Sequence, residues 1–226
     1  SIEAVPAKLV RVPFLPDAYW YESARSLGAT PEYLMGYYYL QEAASQLPVL
    51  VLNPPAGARV LDMAAAPGSK TTQLAAVLDN SGVIVALELK NNRMESLVEN
   101  LERCGVTNTV VYRKDARFAK DLGTQFTHIL LDAPCSGNPV IEPRFFETKT
   151  VEGIKEMQLL QRELIRSAMQ MLAPHGILVY STCSLEPEEN EANIAWALRE
   201  YPELELLDTG LTVGEPGYTS AFGESF

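Results

Sequence analysis

The chain of 226 residues is poor in the residues that build metal and disulfide scaffolds, with three cysteines and two histidines. Cys104, Cys135 and Cys183 form an odd set without close pairing, which argues for a reducing compartment and against a disulfide framework. His128 and His175 are too scattered for a zinc site, so no metal is expected. Long apolar runs are also missing. Val83-Ile84-Val85-Ala86-Leu87 falls far short of the roughly 18–20 residues of a membrane span, so no membrane partner is expected. Basic residues are scarce, 18 against 29 acids, for a net charge of −11. That balance argues against a nucleic-acid binder but leaves a local basic patch open. There is no internal repeat. The opening Ser1-Ile2-Glu3 is neither a signal peptide nor a usual translation start, and suggests a piece of a longer protein.

What is present is an ordinary globular composition, 47% hydrophobic and 21% charged. The first 48 residues stand apart: they hold Trp20 and most of the tyrosines, with prolines at 6, 13, 16, 31 and 48. We read residues 1–48 as an irregular leading segment with a helix over 31–46, begun by Thr30 as N-cap and Pro31 at the first helical position. Residues 49–226 form the second unit. Its pattern predicts strands at 59–63, 83–88, 109–112, 128–132 and 176–182, with a sixth at 204–207. Helices are predicted at 69–78, 91–103, 157–172 and 188–200. Apolar strands alternating with helices mean an α/β fold, a mostly parallel twisted sheet with helices on both faces. Ligands of such sheets bind outside the carboxyl ends of the strands.

The first predicted strand runs into Ala64, Ala65, Ala66, Pro67, Gly68, Ser69 and Lys70, small residues that let a ligand approach the backbone at a helix start. The run lacks the glycines of a dinucleotide fingerprint, and Ser69 before the lysine breaks a Walker A loop. Glu88 ends the second strand, at the offset where an acid commonly takes ribose hydroxyls. Asp115 follows the third strand and Asp132 ends the fourth. Together these strand ends fit a nucleoside-bearing ligand, with S-adenosyl-L-methionine leading.

The chemistry-bearing residues lie further on. Asp132-Ala133-Pro134-Cys135-Ser136-Gly137 closes the fourth strand and Ser181-Thr182-Cys183-Ser184 the fifth, so a parallel sheet brings two thiols to one edge. Cys104, at a helix end, reads as structural. A thiolate beside a methyl donor can add to C6 of cytosine and make C5 nucleophilic enough to take a methyl group; a base then removes the C5 proton and the thiolate leaves. The dipole of the helix after Cys183 would favour its thiolate. Glu186, Glu188, Glu189 and Glu191 would oppose it.

At these residues the sequence resembles the Nop/Sun family of RNA cytosine-C5 methyltransferases, over about residues 28–201. The blocks that carry the resemblance are Gly36-Tyr37-Tyr38-Tyr39-Leu40-Gln41-Glu42-Ala43-Ala44-Ser45, LDMAAAPGSKTT from Leu61 to Thr72, DAPCSG, and STCS with Glu188-Glu189-Asn190-Glu191. The leading segment looks most like the archaeal transfer-RNA branch, while AAAPGSKTTQ also recurs in bacterial ribosomal-RNA members. The resemblance implies a Rossmann-like class I methyltransferase acting on RNA, with transfer RNA as the expected substrate and ribosomal RNA as the alternative. It also implies a monomer in the cytoplasm, or in the nucleus or nucleolus of a eukaryote.

By the same resemblance Cys183 is the nucleophile and Cys135 acts in product release. Asp132 bonds the cytosine ring and lies against the cofactor, and Lys70 orients Asp132 or the substrate. Ala64 to Lys70 wrap the methionine part, Glu88 takes the ribose, Arg93 lies on the cofactor side and Asp115 on the adenine side. The sequence departs from the family at Asn138-Pro139-Val140-Ile141-Glu142, where a small residue, glycine and basic residues are usual. It also lacks the last strand pair with its Gly-Phe-Phe motif, so C-terminal strands are expected to be missing. The competing classes are a non-catalytic RNA-binding or ribosome-assembly factor of the same fold, favoured by the acidic charge, and a DNA cytosine methyltransferase, which would not need Cys183. An amino-methyltransferase would carry an Asn-Pro-Pro-aromatic block, which is absent.

Overall fold

The computed structural model describes residues 5–138, 140, 144–221 and 224–225. Pro139, Ile141 and Glu142, which carry the departure in the loop after Asn138, lie outside them. The chain opens with a hairpin, β1 (Lys8–Arg11) antiparallel to β2 (Tyr19–Glu22), where the sequence predicted irregular structure. The helix expected over 31–46 is broken. Its first turn, α1 (Pro31–Leu34), is capped as predicted by Thr30 Oγ1, which accepts from Tyr33 N at 3.2 Å. Gly36 then turns the chain at φ +77°, and a Cβ there would meet the Arg103 carbonyl at 1.8 Å. The second piece, α2 (Ala43–Leu52), runs across the 48/49 division and packs on the sheet.

The sheet strands are β3 (Arg59–Asp62), β4 (Val83–Glu88), β5 (Thr109–Arg113), β6 (Phe126–Asp132) and β7 (Leu172–Ser181). Between them lie α3 (Ser69–Val77), α4 (Asn91–Arg103), the short α5 (Phe145–Thr148) and α6 (Val151–Met171), and α7 (Glu191–Glu200) follows. The strand order is β5-β4-β3-β6-β7, with every pairing parallel. The order reverses beside β3, which is the switch point where α/β sheets bind ligands.

Alternation along the strands divides the core. Leu61, Ile129 and Leu131 face Leu164, Ile165 and Ala168 of α6; Val60, Leu130 and Ile84 face Val49 and Leu52 of α2 and Leu74 and Leu78 of α3. Most of these side chains are wholly buried, and each valine, leucine or isoleucine among them contributes roughly 1.5–3 kcal/mol.

Three boundaries differ from the sequence reading. Helix α6 starts at Val151, six residues before the predicted 157, with Thr150 Oγ1 capping Gly153 N at 3.1 Å. Strand β7 starts before Pro174, which the edge position and a register shift opposite Phe126 and His128 accommodate. No strand forms at 204–207: Leu206 and Leu207 are exposed and only Leu204 packs on the core. A short pairing of β8 (Ser220–Ala221) with β9 (Glu224–Ser225) lies beyond.

Candidate active site

The sheet register brings the predicted Glu88 and Asp132 to one edge. Glu88 ends β4, Asp132 pairs directly with Ser181 at the ends of β6 and β7, and Asp62, not among the predicted residues, ends β3 between them. The loop after β3 is made largely of backbone. Ala65 and Ala66 are buried, Pro67 is exposed after a cis peptide bond, and Gly68 opens α3 at φ +106°. No side chain caps α3, so its first N–H groups are left for a ligand.

Glu88 is 6% exposed, accepts from Lys90 N at 2.8 Å and lies 3.7 Å from Arg93. Arg93 also donates to the Ala66 carbonyl at 2.6 Å, tying the two strand ends together. Asp115 is engaged differently. Both its oxygens take the Arg117 guanidinium, and these bonds hold its carboxyl below the usual carboxylate range.

Lys70 reaches from the first turn of α3 to Asp132 Oδ2 at 2.7 Å and donates to Ser45 Oγ at 3.0 Å. The other Asp132 oxygen accepts from Ser181 Oγ at 2.7 Å. Beside them the loops that carry Cys135 and Cys183 meet, with Ser136 Oγ and Ser184 Oγ 3.2 Å apart, and the two thiols influence each other's ionisation. Cys183 is exposed and Cys135 half-buried. The hydrogen bond from Cys183 brings the Cys135 thiol down to about 7, against the opposing effect of burial. The same contact pushes Cys183 up. The two thiols therefore titrate as a pair, with the proton of Cys135 the first to be lost. The helix dipole expected to act on Cys183 does not reach it, because α7 begins only at Glu191 and the effect fades within a turn.

Cys104 caps α4, far from this edge in role, and burial raises its thiol. It lines a separate cavity of about 840 Å³ between the leading segment and α3, which contains none of Glu88, Asp132, Cys135 or Cys183.

Sequence reasoning missed several residues that the fold brings in. Asp62 is 1% exposed, accepts from Thr71 Oγ1 at 2.8 Å, and is pushed up to about 6 by burial. Glu189, considered in the sequence only as an acid opposing the Cys183 thiolate, is wholly buried, and its carboxylate accepts from Ser136, Ser184 and Gln161. Only its place in Glu188-Glu189-Asn190-Glu191, beside the second thiol, could have singled it out. Among the described residues no cluster suited to a metal ion occurs, and no helix is long and apolar enough to cross a membrane.

A parallel sheet in this order, with its polar loops gathered at the carboxyl edge of the switch point, is the architecture of the Rossmann-like methyltransferases. Comparison narrows the class. The family described as 16S rRNA methyltransferase RsmB/F matches residues 49–221. Ribosomal RNA small subunit methyltransferase F of Cronobacter sakazakii is 46% identical over 96% of this chain and 47% of its own length. Its Escherichia coli namesake is 44% identical over 89% of this chain and 44% of its own length.

Among solved structures, a methyltransferase homolog protein from Pyrococcus horikoshii superposes with a TM-score of 0.87 at 42% identity, covering 96% of this chain and 69% of that one. NSun6 from Pyrococcus horikoshii, solved with SFG, gives 0.79 at 38% identity over 86% of this chain and 50% of that one. The chain belongs to the RsmB/F branch of the Nop/Sun family, S-adenosylmethionine-dependent RNA cytosine-C5 methyltransferases. It spans about half the length of the curated relatives it matches.

Proposed function

We propose that this chain is the catalytic part of a small-subunit ribosomal-RNA cytosine-C5 methyltransferase working through a covalent cysteine–C6 adduct. The observation that carries the reading is that β6 and β7 end side by side and bring the Cys135 and Cys183 loops together, with Ser136 Oγ and Ser184 Oγ 3.2 Å apart, beside the Lys70–Asp132 pair. Transfer RNA was the first expectation; the curated relatives are named for ribosomal RNA, and that favours the alternative.

The residues present suit S-adenosylmethionine, which when bound supplies an electrophilic methyl group. The uncapped start of α3 offers N–H groups to its carboxylate, and Glu88 an acceptor to its ribose. Arg93 holds the loop from Ala64 to Lys70 against β4.

Cys183, the exposed thiol, attacks C6 while its proton passes to Cys135. A sulfur–carbon bond forms and the C5–C6 double bond supplies the electron pair that C5 uses on the methyl group. Asp132, held by Lys70 and Ser181, accepts a hydrogen bond from the amino group of the cytosine and orients the ring for attack, while the Lys70 cation offsets the negative charge that the attack develops. Loss of the C5 proton to a base restores the double bond and expels the Cys183 thiolate, with Cys135 assisting release.

The test is incubation with methyl-labelled S-adenosylmethionine and unmethylated 16S rRNA or transfer RNA, followed by bisulfite sequencing. Label at a ribosomal cytosine is expected. Label in transfer RNA alone would restore the first expectation, and cofactor binding without label in either would favour the non-catalytic factor.

A further inference from the structure

We propose that Glu189 is a positioning residue whose carboxylate clips the loop after β6 to the loop after β7, holding Cys135 against Cys183. Its bearing on catalysis rests on the reading that these thiols do the chemistry. Four donor groups converge on the wholly buried carboxylate. Ser136, directly after Cys135, gives its backbone N–H at 3.0 Å and its hydroxyl. Ser184, directly after Cys183, donates its hydroxyl at 2.9 Å. Gln161 of α6 donates at 2.6 Å and also bonds the carbonyl of Pro134, directly before Cys135, at 2.9 Å. Glu189 thus holds the residue after each thiol directly, and Gln161, bonded to the same carboxylate, holds the residue before Cys135.

The backbone of Glu189 is itself fixed. Its carbonyl accepts from Tyr180 at 2.6 Å and from Asn193 at 3.3 Å. Among the described residues the carboxylate has no ion pair. Burying an unpaired charge costs several kcal/mol unless hydrogen bonds offset it. An ionised carboxylate accepts at about four positions and donates at none, and four donor groups meet this one. An amide cannot match that set, because its NH₂ would confront a donor.

The clip and the charge of Glu189 act on the thiols with opposite sign, which makes the idea testable. The negative charge alone disfavours a Cys135 thiolate. The contact between the thiols favours it. The other groups facing the pair are Asp132, carrying Lys70, and the Tyr180 hydroxyl.

In Glu189→Gln, removing the charge would move thiol titration to lower pH, whereas parting the loops moves it to higher pH. Iodoacetamide alkylation of each cysteine, mapped by mass spectrometry across pH, reads this with neither RNA nor cofactor. We expect Cys135 in the parent to titrate near 7, and in Glu189→Gln to approach the ordinary thiol range, with alkylation at pH 7 slowed about tenfold. An unchanged or more acidic profile in a variant with the parent's circular dichroism overturns the proposal. Should Glu189→Gln not fold, Ser184→Ala cuts only the Cys183 side. A shift in the same direction of about threefold is expected there, reversed in Ser184→Thr, and no shift would sink the clip. Methyl transfer by the parent is measured separately, so failure of the function does not count against the clip, nor the reverse.

Discussion

The loop after β3 and the two loops after β6 and β7 meet at one sheet edge but are built by opposite means. The first is shaped by what is absent: alanines, a glycine at φ +106° and an uncapped helix start leave backbone groups facing the ligand side. The second is made of side chains from distant parts of the chain, with Gln161, Ser136, Ser184 and Glu189 joined around one carboxylate. A backbone site tolerates loss of a side chain and fails when a side chain is added. A network of acceptors and donors fails with a single change of polarity.

The cysteine side should show the largest effect. Cys183→Ala removes the proposed nucleophile, so turnover should fall by at least about a thousandfold, with no covalent adduct. On the proposed roles, Cys135→Ala leaves attack and methyl transfer in place and slows release. It should therefore accumulate a protein–RNA complex that survives denaturing electrophoresis. Trapping in Cys183→Ala with none in Cys135→Ala would reverse the roles and point to the chemistry of DNA cytosine methyltransferases.

On the β3 side the contrast predicts two unequal losses. Glu88 brings a nearly buried carboxylate to its strand end, so Glu88→Ala should weaken S-adenosylmethionine about tenfold to a hundredfold by calorimetry. Ser69→Ala, in a loop that works through its backbone, should change affinity less than about threefold. Equal losses would erase the distinction between the two loops.

The same contrast explains what the sequence made legible. Strands β3 to β7 and the small-residue run before α3 announce themselves locally, through apolar runs and residue types that only a close approach requires. Gly36 breaks the helix expected over 31–46 because its turn packs on Arg103, and no local pattern carries that contact. Glu189 lies in a run of acids whose composition suggests a solvated face. Its burial depends on Ser136 and Gln161, far away in the chain. Strands β1 and β2 were missed for a third reason: most of their side chains are exposed, so no inward-facing alternation marks them.

The smallest expected effect separates the two buried acids. Asp62 takes one good hydrogen bond, from Thr71 at 2.8 Å, and a long one from Ala64 at 3.4 Å, whereas Glu189 gathers four donor groups. Burial is therefore incompletely offset at Asp62, and nearby Asp132 adds to the rise, so its carboxyl titrates at about 6 instead of 3.8. Because folding favours the protonated form, this stabilisation is complete below pH about 4 and is lost as the pH rises through about 6. Asp62→Asn is neutral throughout and can still accept from Thr71. Its stability relative to the parent should grow by about 2 kcal/mol between pH 4 and 7, a gain of about 4–8 °C in melting temperature. The other carboxylates are common to both proteins and cancel in the difference. Parallel melting curves across that range would mean that the Asp62 carboxylate is as well satisfied as that of Glu189, and the two sides of the site would then not differ in this respect.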